Sequence, residues 1–131
     1  MGDGPSPRLG RPRKDVAVDR IDLGGGHSFE WIAGDADSFP ELFPERTYES
    51  DGKRLVLVGI IEYHLRPDGE ECGGGVNFSR PLSPSRYEAE RPVWTVEALD
   101  PLTLSPSVLC APENGGCGAH GFIRAGRWEG A

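Results

Sequence analysis

Two thiols and an imidazole fall within eleven positions near the end of the chain: Cys110, Cys117 and His120. Thiolate sulfur and imidazole nitrogen are the ligands that zinc and iron(II) prefer. Cys117-Gly-Ala-His120 is a short chelating knuckle, and Gly116 and Gly118 let its backbone turn closely around an ion. Three ligands leave one tetrahedral position open. Cys72, inside its own glycine-rich segment, is the expected fourth, with His27 and His64 as alternatives. The metal positions are therefore Cys110, Cys117, His120 and Cys72, and zinc is the implied cofactor. The usual Cys-x-x-Cys pairing is missing, so an ordinary reading carries more weight: Cys110 as a small core residue and Cys117 as a free thiol.

Other constellations are weaker. Glu62 and His64 share one face of a strand, where an acid beside an imidazole could move protons. Their place just before Pro67 reads as the frayed, exposed end of that strand. A cysteine nucleophile, Cys110 or Cys117 with His120 as base, lacks a third residue to orient the base. The glycine runs at 24–26 and 73–75 do not lie between a strand and a helix, so they are not phosphate loops. Trp31, Trp94 and Trp128 lie on strands and read as packing residues. No catalytic residue is assigned.

The elements that must position these residues are strands. Val16–Leu23 and His27–Ala33 flank Gly24-Gly25-Gly26 as a hairpin with a possible bulge before Ile21. Phe39–Pro44 has room for one helical turn. Lys53–Leu65 is apolar on both faces, which marks a central strand, and Gly59 in its middle signals a bulge or a close backbone approach. Cys72–Phe78 is a glycine-rich strand or loop, and Ser79–Pro92 an irregular surface excursion. Val93–Leu99 is a strand, and Leu102–Leu109 is extended around Pro106. Gly121–Trp128 is a tight final hairpin about Gly126. The fold class is mainly β: a small single-domain sandwich or curled antiparallel sheet with long Gly/Pro-rich loops. Residues 1–15 form a disordered basic arm and residues 16–131 the β-rich domain.

Composition narrows the function. The chain has 131 residues and a net charge of −7. That acidic balance argues against nucleic-acid binding. Residues 1–20 nevertheless hold five basic and three acidic side chains, so the arm could dock an acidic protein surface. Three cysteines is an odd count, which suits reduced thiols or a metal better than a disulfide framework. Met1–Pro7 has no apolar signal core, and the run Leu55–Ile61 is too short to span a bilayer. The expectation is a cytoplasmic or virion-associated protein with a protein partner or a homo-oligomeric state and no membrane.

Trp94-Thr-Val, Leu102-Thr-Leu-Ser-Pro-Ser-Val-Leu and Cys117-Gly-Ala-His-Gly-Phe-Ile-Arg-Ala-Gly-Arg-Trp128, in that order, resemble an uncharacterised family found in actinobacteria and their bacteriophages. Leu102 stands where that family commonly has proline. The resemblance implies a structural corner at Ser105-Pro106-Ser107 and metal positions at Cys117 and His120. It implies no defined activity. The resulting expectation is a bacteriophage or actinobacterial accessory protein that acts by binding and assembly rather than catalysis. The alternatives are a zinc-stabilised interaction module of a host-interaction or modification system, and a metal-dependent hydrolase with Glu62 or Glu113 as base.

Overall fold

The long strand β4 (Lys53–Leu65) organises the molecule. In the computed structural model, which describes residues 20–112 and 115–131, β4 lies at the centre of a five-stranded antiparallel sheet. One edge of β4 pairs with β2 (His27–Asp35), which pairs in turn with β1 (Ile21–Gly24). Its other edge is shared. β3 (Thr47–Ser50) takes Lys53–Val56, and β5 (Glu71–Asn77) takes Gly59–Leu65. The strand boundaries follow the sequence expectation for Lys53–Leu65, because a run apolar on both faces is stable only when covered on both.

The sheet is curled into half a barrel. Part of the bend arises at Val58, an extra residue of β4 against β2, where Ile32 pairs with Gly59 but Ala33 pairs with Leu57. The bulge inverts the alternation, so Leu57 and Ile60 both point into the core. Gly59 is required beside it. A Cβ there would meet the Val76 carbonyl oxygen at 2.5 Å, a backbone atom that cannot swing away.

Two smaller sheets close the open side. β6 (Thr95–Leu99) pairs with β7 (Leu102–Ser105), and β8 (Val108–Leu109), β9 (His120–Arg124) and β10 (Arg127–Gly130) form a three-stranded sheet. Leu102, Leu104, Val108 and Ile123 from these sheets pack on Leu23, Phe29, Trp31, Ile60 and Val76 of the large one. The final hairpin turns at Ala125-Gly126, both with positive φ, as its glycine suggested.

Two local expectations are corrected. Phe39–Pro44 forms turns rather than a helix. A turn and a half of α-helix lies instead in the Ser79–Pro92 excursion, as α1 (Arg86–Glu90). Its capping box was present in the sequence as Ser85-x-x-Glu88: the Ser85 hydroxyl accepts from the Glu88 N–H, and the Glu88 carboxylate accepts from the Ser85 N–H. The basic arm, residues 1–15, falls outside the described residues. Among the described residues no helix is long and apolar enough to cross a membrane.

Gly59→Ala should destabilise the fold by about 1–3 kcal/mol through overpacking. Gly74→Ala, where a Cβ meets nothing within 4 Å, should stay within about 0.5 kcal/mol of the parent. Urea denaturation midpoints of the two variants test the pair.

Candidate functional site

The inward row of β4 changes character along its length. Ile60 belongs to the core, whereas Glu62 and His64, two and four residues on, bring polar groups to the same face. Both are buried, with 3% and 5% exposure, which corrects the expectation of a frayed, solvent-exposed rim. The reason is β5. Its register pairs Ile60 with Val76, Glu62 with Gly74 and His64 with Cys72, so β4 stays paired up to Leu65. Cross-strand neighbours on one face have close Cβ atoms, and His64 and Cys72 are thereby set side by side.

Cys110 and Cys117 approach from the loop that joins β8 to β9. The Cys110 N–H donates to Ala119 O, and the Gly118 N–H donates back to Cys110 O. Gly116 sits where a Cβ would meet Cys110 and Ala111 backbone atoms at 2.7 Å, and Gly118 has φ 86°. These are the glycines that the knuckle reading demanded. The result is a cluster of His64, Cys72, Cys110 and Cys117 whose ligand atoms all lie within 4.8 Å of one another. His64 Nε2 is 3.0 Å from Cys117 Sγ, and Cys72 Sγ is 3.2 Å from Cys110 Sγ. The Cys117 N–H donates to Cys110 Sγ at 3.4 Å.

Three sulfurs and one imidazole nitrogen at these separations could hold a metal ion. Zinc–sulfur bonds of about 2.3 Å in a tetrahedron put ligand atoms about 3.8 Å apart, which falls inside the observed spread. Cys72, Cys110 and Cys117 are therefore together, as the sequence suggested. His120 is elsewhere. The fourth place is taken by His64, one of the alternatives.

The thiols differ in acidity. Hydrogen bonding from the Ala119 N–H, reinforced by His64, lowers the Cys117 thiol to about 7. Burial pushes the Cys110 thiol up to about 11. Burial alone would depress His64, but its contacts with Cys117 and Glu62 outweigh that and raise it.

His120 lies on the far side of the β8–β9 pair. The register sets Leu109 opposite His120 and Val108 opposite Gly121. Ser107, two residues before Leu109, thus lies diagonally across from His120 on the same face, within side-chain reach. His120 Nε2 is 2.8 Å from Ser107 Oγ. The Ser107 carbonyl accepts from the Trp94 indole N–H at 3.0 Å, which fixes the corner after Pro106. A hydroxyl against an imidazole nitrogen at this distance is the nucleophile–base contact of a serine hydrolase, without the third group that orients the base.

Residues 71–131 match the family model described as BubE, the bacterial ubiquitination-like system serine protease. The matched segment contains Ser107, His120 and the three cysteines. It does not contain His64, Glu62 or His27. No curated protein and no solved structure matches the chain.

The match to the BubE model overturns the expectation of a bacteriophage or actinobacterial accessory protein acting by assembly, since it describes a protease of a modification system. That expectation rested on polar groups scattered along the chain, with Ser105-Pro106-Ser107 taken as a corner only and His120 as a ligand. Of the two bases named for the metal-hydrolase alternative, Glu62 is held between two histidines, and Glu113 lies outside the described residues. Ser107 and His120 are 13 positions apart, and only strand pairing joins them. The available signal was the Ser-Pro-Ser corner followed by an extended dipeptide, then a glycine-rich return ending in histidine.

In reduced protein treated with a chelator, iodoacetamide should modify Cys117 before Cys110. Thiolate is the reactive form, so the Cys117 rate should rise as pH passes through about 7 while Cys110 stays protonated. Mass mapping of alkylated peptides between pH 6 and 9 reads the order.

Proposed function

We propose that this chain is a serine protease of a bacterial ubiquitination-like system, with Ser107 as nucleophile and His120 as general base. The observation that carries the reading is the 2.8 Å contact between Ser107 Oγ and His120 Nε2 inside the segment that matches the BubE model. Ser107 Oγ attacks the carbonyl carbon of the scissile bond while its proton passes to His120 Nε2. The C–N bond then breaks, and His120 returns that proton to the departing amine. Water, deprotonated by His120, hydrolyses the acyl-Ser107 ester and restores the hydroxyl. The protein partner is a substrate or component of that modification system.

A groove of about 680 Å³ runs from Gly73–Gly75 past Trp94 to Leu109 and Cys110. Its wall at Leu109 is two residues along the chain from Ser107.

His64, Cys72, Cys110 and Cys117 would hold zinc as a closed Cys₃His set. Four protein ligands would leave no position for substrate, so the ion would serve structure rather than act as a Lewis acid. Two ligands come from the large sheet and two from the β8–β9 loop. These residues would, with zinc bound, tie the loop that leads into His120 to the sheet, and so support the alignment of His120 with Ser107.

A fluorophosphonate probe should label Ser107, and Ser107→Ala should abolish labelling and proteolysis while leaving the circular dichroism spectrum unchanged. His120→Gln should slow acylation by about 10²–10⁴-fold, the usual contribution of a general base. Labelling that persists in folded Ser107→Ala, or maps to another residue, would sink the assignment.

Elemental analysis should find close to one zinc per chain, and Cys72→Ser or chelation should lower the melting temperature. Less than a tenth of an equivalent, with melting unchanged by chelator, would remove the zinc site but leave the Ser107–His120 reading intact.

A further inference from the structure

β2 and β4 lie outside the segment matched by the BubE model, yet they contribute a second buried cluster behind the cysteines: His27, Glu62 and His64. Glu62 is its centre. Its Oε1 and Oε2 lie 3.0 and 3.1 Å from His64 Nδ1, and Oε2 lies 2.6 Å from His27 Nδ1. The side chains of Glu62 and His64 are each 4% exposed and that of His27 is 12% exposed. A carboxylate in such a place is costly unless its lone pairs are occupied. Two imidazoles occupy them.

His64 uses its two nitrogens in opposite directions. Nδ1 faces Glu62, and Nε2 faces Cys117 Sγ at 3.0 Å. A proton on Nδ1 donates to the carboxylate and leaves the Nε2 lone pair aimed into the cysteine cluster. This is the geometry of a carboxylate–histidine–metal relay, in which the carboxylate fixes tautomer and ring angle and raises ligand basicity. We infer that Glu62 is a positioning residue that holds His64 as a metal ligand, with His27 clamping Glu62 from behind.

The clamp is itself fixed. The His27 ring stacks on Trp128, with centroids 3.9 Å apart and planes 8° from parallel. Trp128 in turn fills the space beside Gly121, where a Cβ would meet Trp128 Cζ2 at 2.5 Å. Gly121 adjoins His120. The network therefore runs from the cysteine cluster through Glu62 and His27 to the hairpin that bears the proposed base.

This inference rests on the tetrad's holding a metal, and the test separates the two. Zinc affinity of the reduced full-length protein is measured by competition with a chromophoric chelator, and the visible spectrum of the cobalt(II) form is recorded. Glu62→Ala should weaken zinc binding about 10–100-fold and shift the cobalt bands. Glu62→Gln, which can still accept from His64 Nδ1, should recover most of the affinity. His27→Gln should weaken binding less and in the same direction. Unaltered affinity and cobalt bands in Glu62→Ala, with binding lost in Cys72→Ser, would overturn the role of Glu62 and leave the tetrad standing. A parent protein that takes up neither zinc nor cobalt would overturn the tetrad and this inference together. Should Glu62→Ala fail to fold, Glu62→Asp decides, since the shorter side chain withdraws the carboxylate from His64; unchanged bands and affinity there count against the proposal.

Discussion

The register between β4 and β5 is the constraint on which the rest of the structure depends. It puts Ile60 against Val76 and His64 against Cys72 on one inward face. The apolar half of that row anchors the core, and the polar half holds two of the four atoms of the cysteine–histidine cluster. Side chains alternate with a period of two, so a slip of one residue would send both halves to the other face. Core and site are therefore specified by the same hydrogen-bond ladder. Gly59 guards it: at the bulge, the Val76 carbonyl lies where any Cβ would be.

From that ladder the chemistry divides into two places with different demands. The cluster of three thiols and His64 sits at the seam between the large sheet and the β8–β9 loop, with His64 and Cys72 buried and Cys110 and Cys117 half-buried. Ser107 and His120 lie at the surface end of the same loop-and-strand unit, half-buried and exposed respectively. The two share the segment between Ser107 and His120: its ends carry the hydroxyl and the imidazole, and its middle carries two of the thiols. Bracing the middle constrains the ends.

Much of the fold was legible along the chain. Lys53–Leu65 announced a central strand because both its faces are apolar, and Gly126 announced a hairpin because glycine accepts positive φ. The three cysteines of the cluster were legible by residue type. The short helix α1 escaped, although its Ser85-x-x-Glu88 capping box was there to be read, because a five-residue helix with no buried residue leaves no apolar period. Glu62 and His64 were misplaced for a different reason. Exposure at a strand's end depends on whether another strand covers it, and the glycine-rich β5 gives little propensity to say that it does.

The sequence by itself determined the mainly β class, the positions of the turns and the supply of thiols, hydroxyl and imidazoles. These follow from local preferences and from chemistry that each side chain carries wherever it sits. Only the tertiary structure decided which imidazole serves which partner. His64 is 53 positions from Cys117 and meets it, whereas His120, three positions away, turns to Ser107. Strand pairing, not proximity in the chain, sets the face on which a side chain stands.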